Sequence, residues 1–240
     1  MPAGRKRERY WLAGLFAAAA LCLLAGHGCD GGVAGPDAAA RVGPTAPAAT
    51  ADATDALRPV VLFLGDSLTA GYGLPTEQAF PALVQERIDA AGLDYRVVNA
   101  GVSGDTSAGG RRRIEWLLRQ PIAVLVLELG GNDMLRGQDL GALAENLRAI
   151  VGETRAARPG VRIVIAGMRA PANLGPDYVA GFEQTFRSLA QETGAAAFIP
   201  FLLEGVAANP ALNQPDGIHP TAEGHRIVAD TVWRTLAPLL

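Results

Sequence analysis

Val60-Val61-Leu62-Phe63-Leu64-Gly65-Asp66-Ser67-Leu68 is the stretch on which the fold of this chain turns. Five consecutive aliphatic or aromatic residues read as a strand buried from both sides, and Gly65-Asp66 ends them in turn chemistry. Comparable runs recur at Arg96 to Asn99, Ala123 to Glu128, Val161 to Ala166 and Ala195 to Ile199. Longer amphipathic segments lie between them. Phe80, Leu83, Val84, Arg87 and Ile88 follow helical spacing, as do Leu143, Leu147, Ile150 and Val151. Ser107 to Arg119, with Ile114, Leu117 and Leu118 inward, Tyr178 to Thr193 and Thr221 to Leu236 supply further helices. Strands alternating with helices predict an α/β fold, a three-layer α/β/α sandwich on a five-stranded parallel sheet, with right-handed crossovers limiting the topology. No internal repeat is visible.

Outward from Val60 toward the N-terminus the chain changes character. Arg5, Lys6, Arg7 and Arg9 face a single acid, Glu8, and an apolar run from Trp11 to Ala25 follows. That pattern predicts a signal peptide over residues 1–28, because a spanning helix needs about 20 apolar residues. Gly26-His27-Gly28-Cys29 resembles a bacterial lipobox, in which the cysteine is lipidated after cleavage; Gly26 and His27 depart from that pattern, so ordinary cleavage near Cys29 stays open. Residues 29–57, rich in Ala, Gly, Pro, Thr and Asp, read as a tether. As a random coil it would reach about 30 Å, enough to hold a domain off a membrane to which Cys29 attaches it. One domain is expected over residues 58–240, and a hydrophobic share of 49% gives it a sizeable core.

Beyond Cys29 there is no further cysteine, so the domain has no disulfide, thiol nucleophile or Cys-ligated metal. From Cys29 onward 17 basic residues stand against 23 acidic ones, and no basic stripe invites nucleic acid.

Ligands of open α/β sheets sit beyond the carboxyl ends of the strands. The residues that follow the strands are Gly65-Asp66-Ser67-Leu68, then Ala100-Gly101-Val102-Ser103-Gly104-Asp105, then Gly130-Gly131-Asn132-Asp133, then Met168-Arg169-Ala170-Pro171-Ala172-Asn173, and after a longer loop Asp216-Gly217-Ile218-His219. A serine hydroxyl needs an imidazole to take its proton and an acid to hold that imidazole. Downstream of Cys29 only His219 and His225 can serve; His225 falls inside a helix and reads as a partly solvated helix residue. His219 follows Asp216 by three residues through Gly217, within reach of one turn, and Pro220 is expected to start the next helix. Ser67 stands at a strand end, where the following helix offers N–H donors. Gly104 and Asn132 suit an oxyanion hole, one by close backbone approach and one by its carboxamide. Asp66 competes with Asp216 as partner of His219; Asp105 and Asp133, with Asp66, read as turn and helix caps rather than metal ligands.

These blocks resemble the SGNH or GDSL hydrolases, in order from Gly65-Asp66-Ser67-Leu68 through Gly104 and Gly-Gly-Asn132-Asp133 to Asp216-Gly217-Ile218-His219-Pro220. Val102 to Thr106, Glu128 to Asp133 and Arg169 to Asn173 resemble the bacterial periplasmic thioesterase, arylesterase and lysophospholipase subgroup. The resemblance implies a flavodoxin-like strand order and no cofactor or metal. It implies Ser67, Asp216 and His219 as catalytic residues, with Ser67, Gly104 and Asn132 as the oxyanion hole. The substrate would be a small-molecule or lipid acyl ester or thioester. Pro171, Asn173, Leu174 and the loop from Phe201 to Pro215 are expected to border the acyl site, and the enzyme to be a monomer. The rivals are a carbohydrate O-acetylesterase of the same family and a non-catalytic envelope binding module.

Overall fold

The computed structural model describes residues 57–240; the expected signal peptide, Cys29 and nearly all of the tether lie outside the described residues. Five strands form one sheet: β1 Val60–Gly65, β2 Arg96–Gly101, β3 Ile122–Glu128, β4 Arg162–Ala166 and β5 Ala197–Ile199. All pairings are parallel, in the order β2-β1-β3-β4-β5. This is the flavodoxin-like order, whose direction reverses between β1 and β3. A crevice opens at such a reversal, beyond the carboxyl ends of the strands. β1 is the inner strand that its unbroken apolar sequence predicts, fully buried along its length.

The main helices are α1 Ser67–Ala70, α2 Phe80–Ala90, α3 Ser107–Leu117, α4 Gly131–Leu135, α5 Leu140–Ala157, α6 Pro176–Glu192 and α7 Ala222–Leu236. α2 packs on α7, while α5 packs on both α3 and α6, giving one helical layer on each side of the sheet. The inward faces are those the spacing predicts: Phe80, Val84 and Ile88 on α2; Ile114 and Leu117 on α3; Leu143, Leu147, Ile150 and Val151 on α5. Side chains close the helix starts. Thr106 accepts from Gly109 N–H, Asp139 from Ala142 N–H and Thr221 from Gly224 N–H. Pro220 does not begin α7; it pairs with Asn213 in a short antiparallel bridge, and Thr221 is the cap. The very short α1 and α4 carry no periodicity that a sequence pattern could reveal.

His225 corrects an expectation. It is 1% exposed rather than partly solvated, and its Nδ1 accepts the Phe80 backbone N–H at 3.2 Å. Ala79, the cap residue of α2, makes no side-chain cap bond. The imidazole therefore caps α2 from another helix, with its ring stacked on Phe80. Burial, then the charge of His219, pushes its pKa down to about 4, so the ring is neutral and its proton sits on Nε2.

Candidate active site

The sheet's switch point collects the loops after β1, β2 and β3, and the loop before α7 reaches over them. At the end of β1 a glycine is required, because a Cβ on Gly65 would collide with the Thr69 hydroxyl and the Glu128 carboxyl. The chain then turns through Asp66, whose Oδ1 accepts Leu68 N–H at 3.0 Å and starts α1 with Ser67 as its first residue.

Opposite Ser67, the turn from Asp216 to His219 is closed by its own atoms. Asp216 Oδ1 accepts the N–H groups of Ile218 at 2.9 Å and His219 at 3.0 Å, while Oδ2 lies 2.7 Å from His219 Nδ1. His219 Nε2 lies 2.9 Å from Ser67 Oγ. The His219 backbone N–H, then its ring, then the Ile218 N–H hold the Asp216 carboxyl down to about 2. With that carboxylate ionised, Nδ1 carries the ring proton and Nε2 is free to accept from Ser67. Asp216, not Asp66, is thus the partner of His219. Gln214 ties this turn to the serine side: its Nε2 donates to Tyr72 O at 2.7 Å and to Pro220 O at 3.0 Å, while its N–H donates to His219 O. The Tyr72 ring lies 4.6 Å from that of His219.

Across the groove, Gly104 adopts φ +81°, a conformation that favours glycine. Arg136 donates to its carbonyl at 2.8 Å. Asp105 pairs with Arg113 at 2.7 Å, and Arg113 also donates to Ala100 O at the end of β2 and Gly65 O at the end of β1. Asp133 receives both the N–H and the hydroxyl of Ser107, at 2.8 and 2.5 Å, joining the start of α3 to α4. Asp66 and Asp133 thus take capping roles and Asp105 an ion pair. Among the described residues no group of three or more His, Cys, Asp or Glu side chains could hold a metal ion.

Ser67, Tyr72, Ser103, Gly104, Asn132, Leu135, Ile218 and His219 line one groove of about 220 Å³. Leu135 and Ile218 also line an adjoining cavity of about 440 Å³. Its other walls include Leu68, Met134, Met168, Pro171, Phe201 and Leu203, so it is mainly apolar and opens beside the serine. Of the three residues expected at an acyl site, only Pro171 lines this cavity. Asn173 and Leu174 belong to a 3₁₀ turn, Ala172–Leu174, and line neither space. From the expected Phe201 to Pro215 loop, Phe201, Leu203, Ala207, Ala208 and Asn213 do line the cavity.

Sequence reasoning missed the group beneath the serine turn. Glu128, the last residue of β3, is 1% exposed. Its Oε2 accepts the Thr69 hydroxyl at 2.6 Å and the Asp66 N–H at 3.2 Å. Burial, and then the nearby Asp66 charge, pushes its carboxyl well above the usual carboxylate range, while burial raises Asp66 to about 6. A lone acid ending a hydrophobic strand was the only signal available.

A family model described as the GDSL-like lipase/acylhydrolase family matches residues 63–227. Esterase TesA of Pseudomonas aeruginosa is 42% identical over 181 residues, which cover 75% of this chain and 89% of that protein. The Escherichia coli K12 protein named thioesterase 1/protease 1/lysophospholipase L1 is 39% identical over 182 residues, 75% of this chain and 84% of that one. Among solved structures, the psychrotrophic esterase EstA of Pseudoalteromonas sp., inhibited by monoethylphosphonate, matches with a TM-score of 0.70. It is 31% identical, with 75% of this chain and 97% of that one covered.

Proposed function

Because this chain belongs to the GDSL-like lipase/acylhydrolase family it is a serine ester hydrolase, and we propose that Ser67, His219 and Asp216 carry its chemistry on acyl esters and thioesters. The observation that carries this reading is the unbroken path from Ser67 Oγ through His219 to Asp216, at 2.9 and 2.7 Å. Ser67 attacks the acyl carbonyl and His219 Nε2 takes its proton. Asp216 fixes the tautomer and stabilises the imidazolium that forms. The oxyanion of the tetrahedral intermediate accepts from the N–H groups of Ser67 and Gly104 and from Asn132 Nδ2, each such donor contributing about 3 to 4 kcal/mol. His219 returns the proton to the departing alcohol or thiol, and water then releases the acyl group by the same steps.

The apolar cavity beside Ser67 supports a chain longer than acetyl, and so favours lipid and fatty-acyl esters over acetylated carbohydrate. Each methylene it buries contributes about 0.8 kcal/mol, so kcat/KM on p-nitrophenyl esters should rise about fourfold per added methylene until the cavity is full. A maximum at acetyl would replace this reading with the O-acetylesterase one. Ser67→Ala should remove nearly all turnover with the fold intact, and a phosphonate probe should modify Ser67; an adduct on Ser103, which lines the same groove, would move the nucleophile there.

No helix among the described residues is long and apolar enough to cross a membrane. Residues 1–28 support export, and Cys29 with its tether supports attachment to a membrane through a lipid.

A further inference from the structure

Asp66 precedes the nucleophile, yet it does not face His219. Its carboxylate is 2% exposed and divides its two oxygens between two tasks. Oδ1 accepts Leu68 N–H and starts α1, and Oδ2 accepts from Asn132 Nδ2 at 3.0 Å. From below, Glu128 Oε2 fixes the backbone N–H of Asp66 itself. An asparagine carboxamide has two nearly isosteric ends, one donating and one accepting, and only its partners decide which end faces a ligand. Asp66, as a carboxylate, can only accept. The end of Asn132 that faces it must therefore be the NH₂ group, whose second N–H is left for the groove.

We infer that Asp66 is a positioning residue of the oxyanion hole: by taking one N–H of Asn132 it fixes the carboxamide with its other N–H toward the substrate. The inference rests on the proposed role of Asn132 as an oxyanion donor. It gives the buried acid a task apart from the relay of Ser67, His219 and Asp216. It also specifies what a neutral isostere would do. In Asp66→Asn the new carboxamide still has to accept Leu68 N–H with its oxygen, so its NH₂ group would face Asn132. Asn132 would then rotate to present its oxygen to that donor, and would no longer aim an N–H at the developing oxyanion.

The test is a double-mutant cycle of Asp66→Asn and Asn132→Ala, read as kcat and KM on one p-nitrophenyl ester, with thermal unfolding of each variant. Asn132→Ala should lower kcat about 10² to 10³ fold with KM nearly constant. Asp66→Asn should lower kcat about 10 to 10² fold, also with KM nearly constant. In the Asn132→Ala background it should cost less than about threefold, because its effect passes through a side chain already gone. If Asp66→Asn does not fold, Asp66→Ser takes its place, since serine keeps the cap on α1 and is too short to reach Asn132. Full additivity with a crippled Asn132→Ala enzyme would overturn the positioning role alone. Near wild-type kcat in Asn132→Ala would overturn the oxyanion reading and this inference with it.

Discussion

On one side of the groove Asp216 keeps 38% of its side-chain surface in water, and its partners lie within three residues. On the other, Asp66 and Glu128 are 2% and 1% exposed and draw on partners about sixty residues away. The first side is a turn that assembles from its own sequence, positioned over Ser67 by Gln214 and Tyr72. The second is assembled only when β1 and β3 lie side by side. Water can replace a lost partner in the turn, so damage there should fall on catalysis. A lost partner under Ser67 leaves a desolvated polar group, so damage there should reach stability as well.

The largest effect expected from this contrast is that of Asp216→Asn. Two backbone N–H groups require an oxygen at the Oδ1 position, so the variant's NH₂ group would face His219 Nδ1. The ring would then keep its proton on Nε2, where it cannot accept from Ser67. The analogous tautomer error in serine proteases costs about 10⁴ in kcat, and a loss of that order is expected here. Unfolding should shift by less than about 2 °C, as for an ordinary surface change. A large loss of thermal stability in Asp216→Asn would break the comparison at its first point.

The same contrast governs what could be read from the sequence. Asp216-Gly217-Ile218-His219 was legible because its contacts span at most three residues, so the carboxylate, the two N–H groups it accepts and the ring all lie in one short stretch. The strands were legible for a similar reason: unbroken apolar runs such as Val60 to Leu64 fit little besides an inner strand. Glu128 was not legible, because its role depends on Thr69 and Asp66, 59 and 62 residues away. His225 was misjudged because its partner, Phe80 N–H, is 145 residues distant. Asn173 and Leu174, expected with Pro171 at an acyl site, fall in the 3₁₀ turn Ala172–Leu174 and are not among the residues that line the cavity beside Pro171.

Glu128→Gln tests the buried side by stability. Burial raises the Glu128 carboxyl, so folding favours its protonated form. The stability it allows is therefore complete below its unfolded value of 4.5 and is lost as pH rises through its folded value. Glutamine keeps an oxygen for the Thr69 hydroxyl and the Asp66 N–H and does not titrate. The variant should unfold at nearly the wild-type temperature at pH 4 and at a higher one at pH 8, by about 2 to 4 °C for each kcal/mol removed. A temperature difference that stays constant with pH would mean that ionisation of Glu128 does not limit the fold.

The smallest effect belongs to the exposed side and has the opposite sign. Asp216 is held down to about 2, so what it adds to stability is complete above its unfolded value of 3.8 and disappears as pH falls through about 2. The difference in unfolding temperature between the wild type and Asp216→Asn should therefore narrow between pH 4 and pH 3. It should also shrink in high salt, because an exposed pair is screened where a buried one is not. Comparing the two variants across one pH series separates the sides of the groove without measuring turnover. Glu128→Gln should diverge from the wild type on the alkaline side and Asp216→Asn should converge with it on the acid side. A difference for Asp216→Asn that does not narrow between pH 4 and pH 3, or that at pH 8 exceeds that of Glu128→Gln, would mean that the turn is supported by more than its own local bonds.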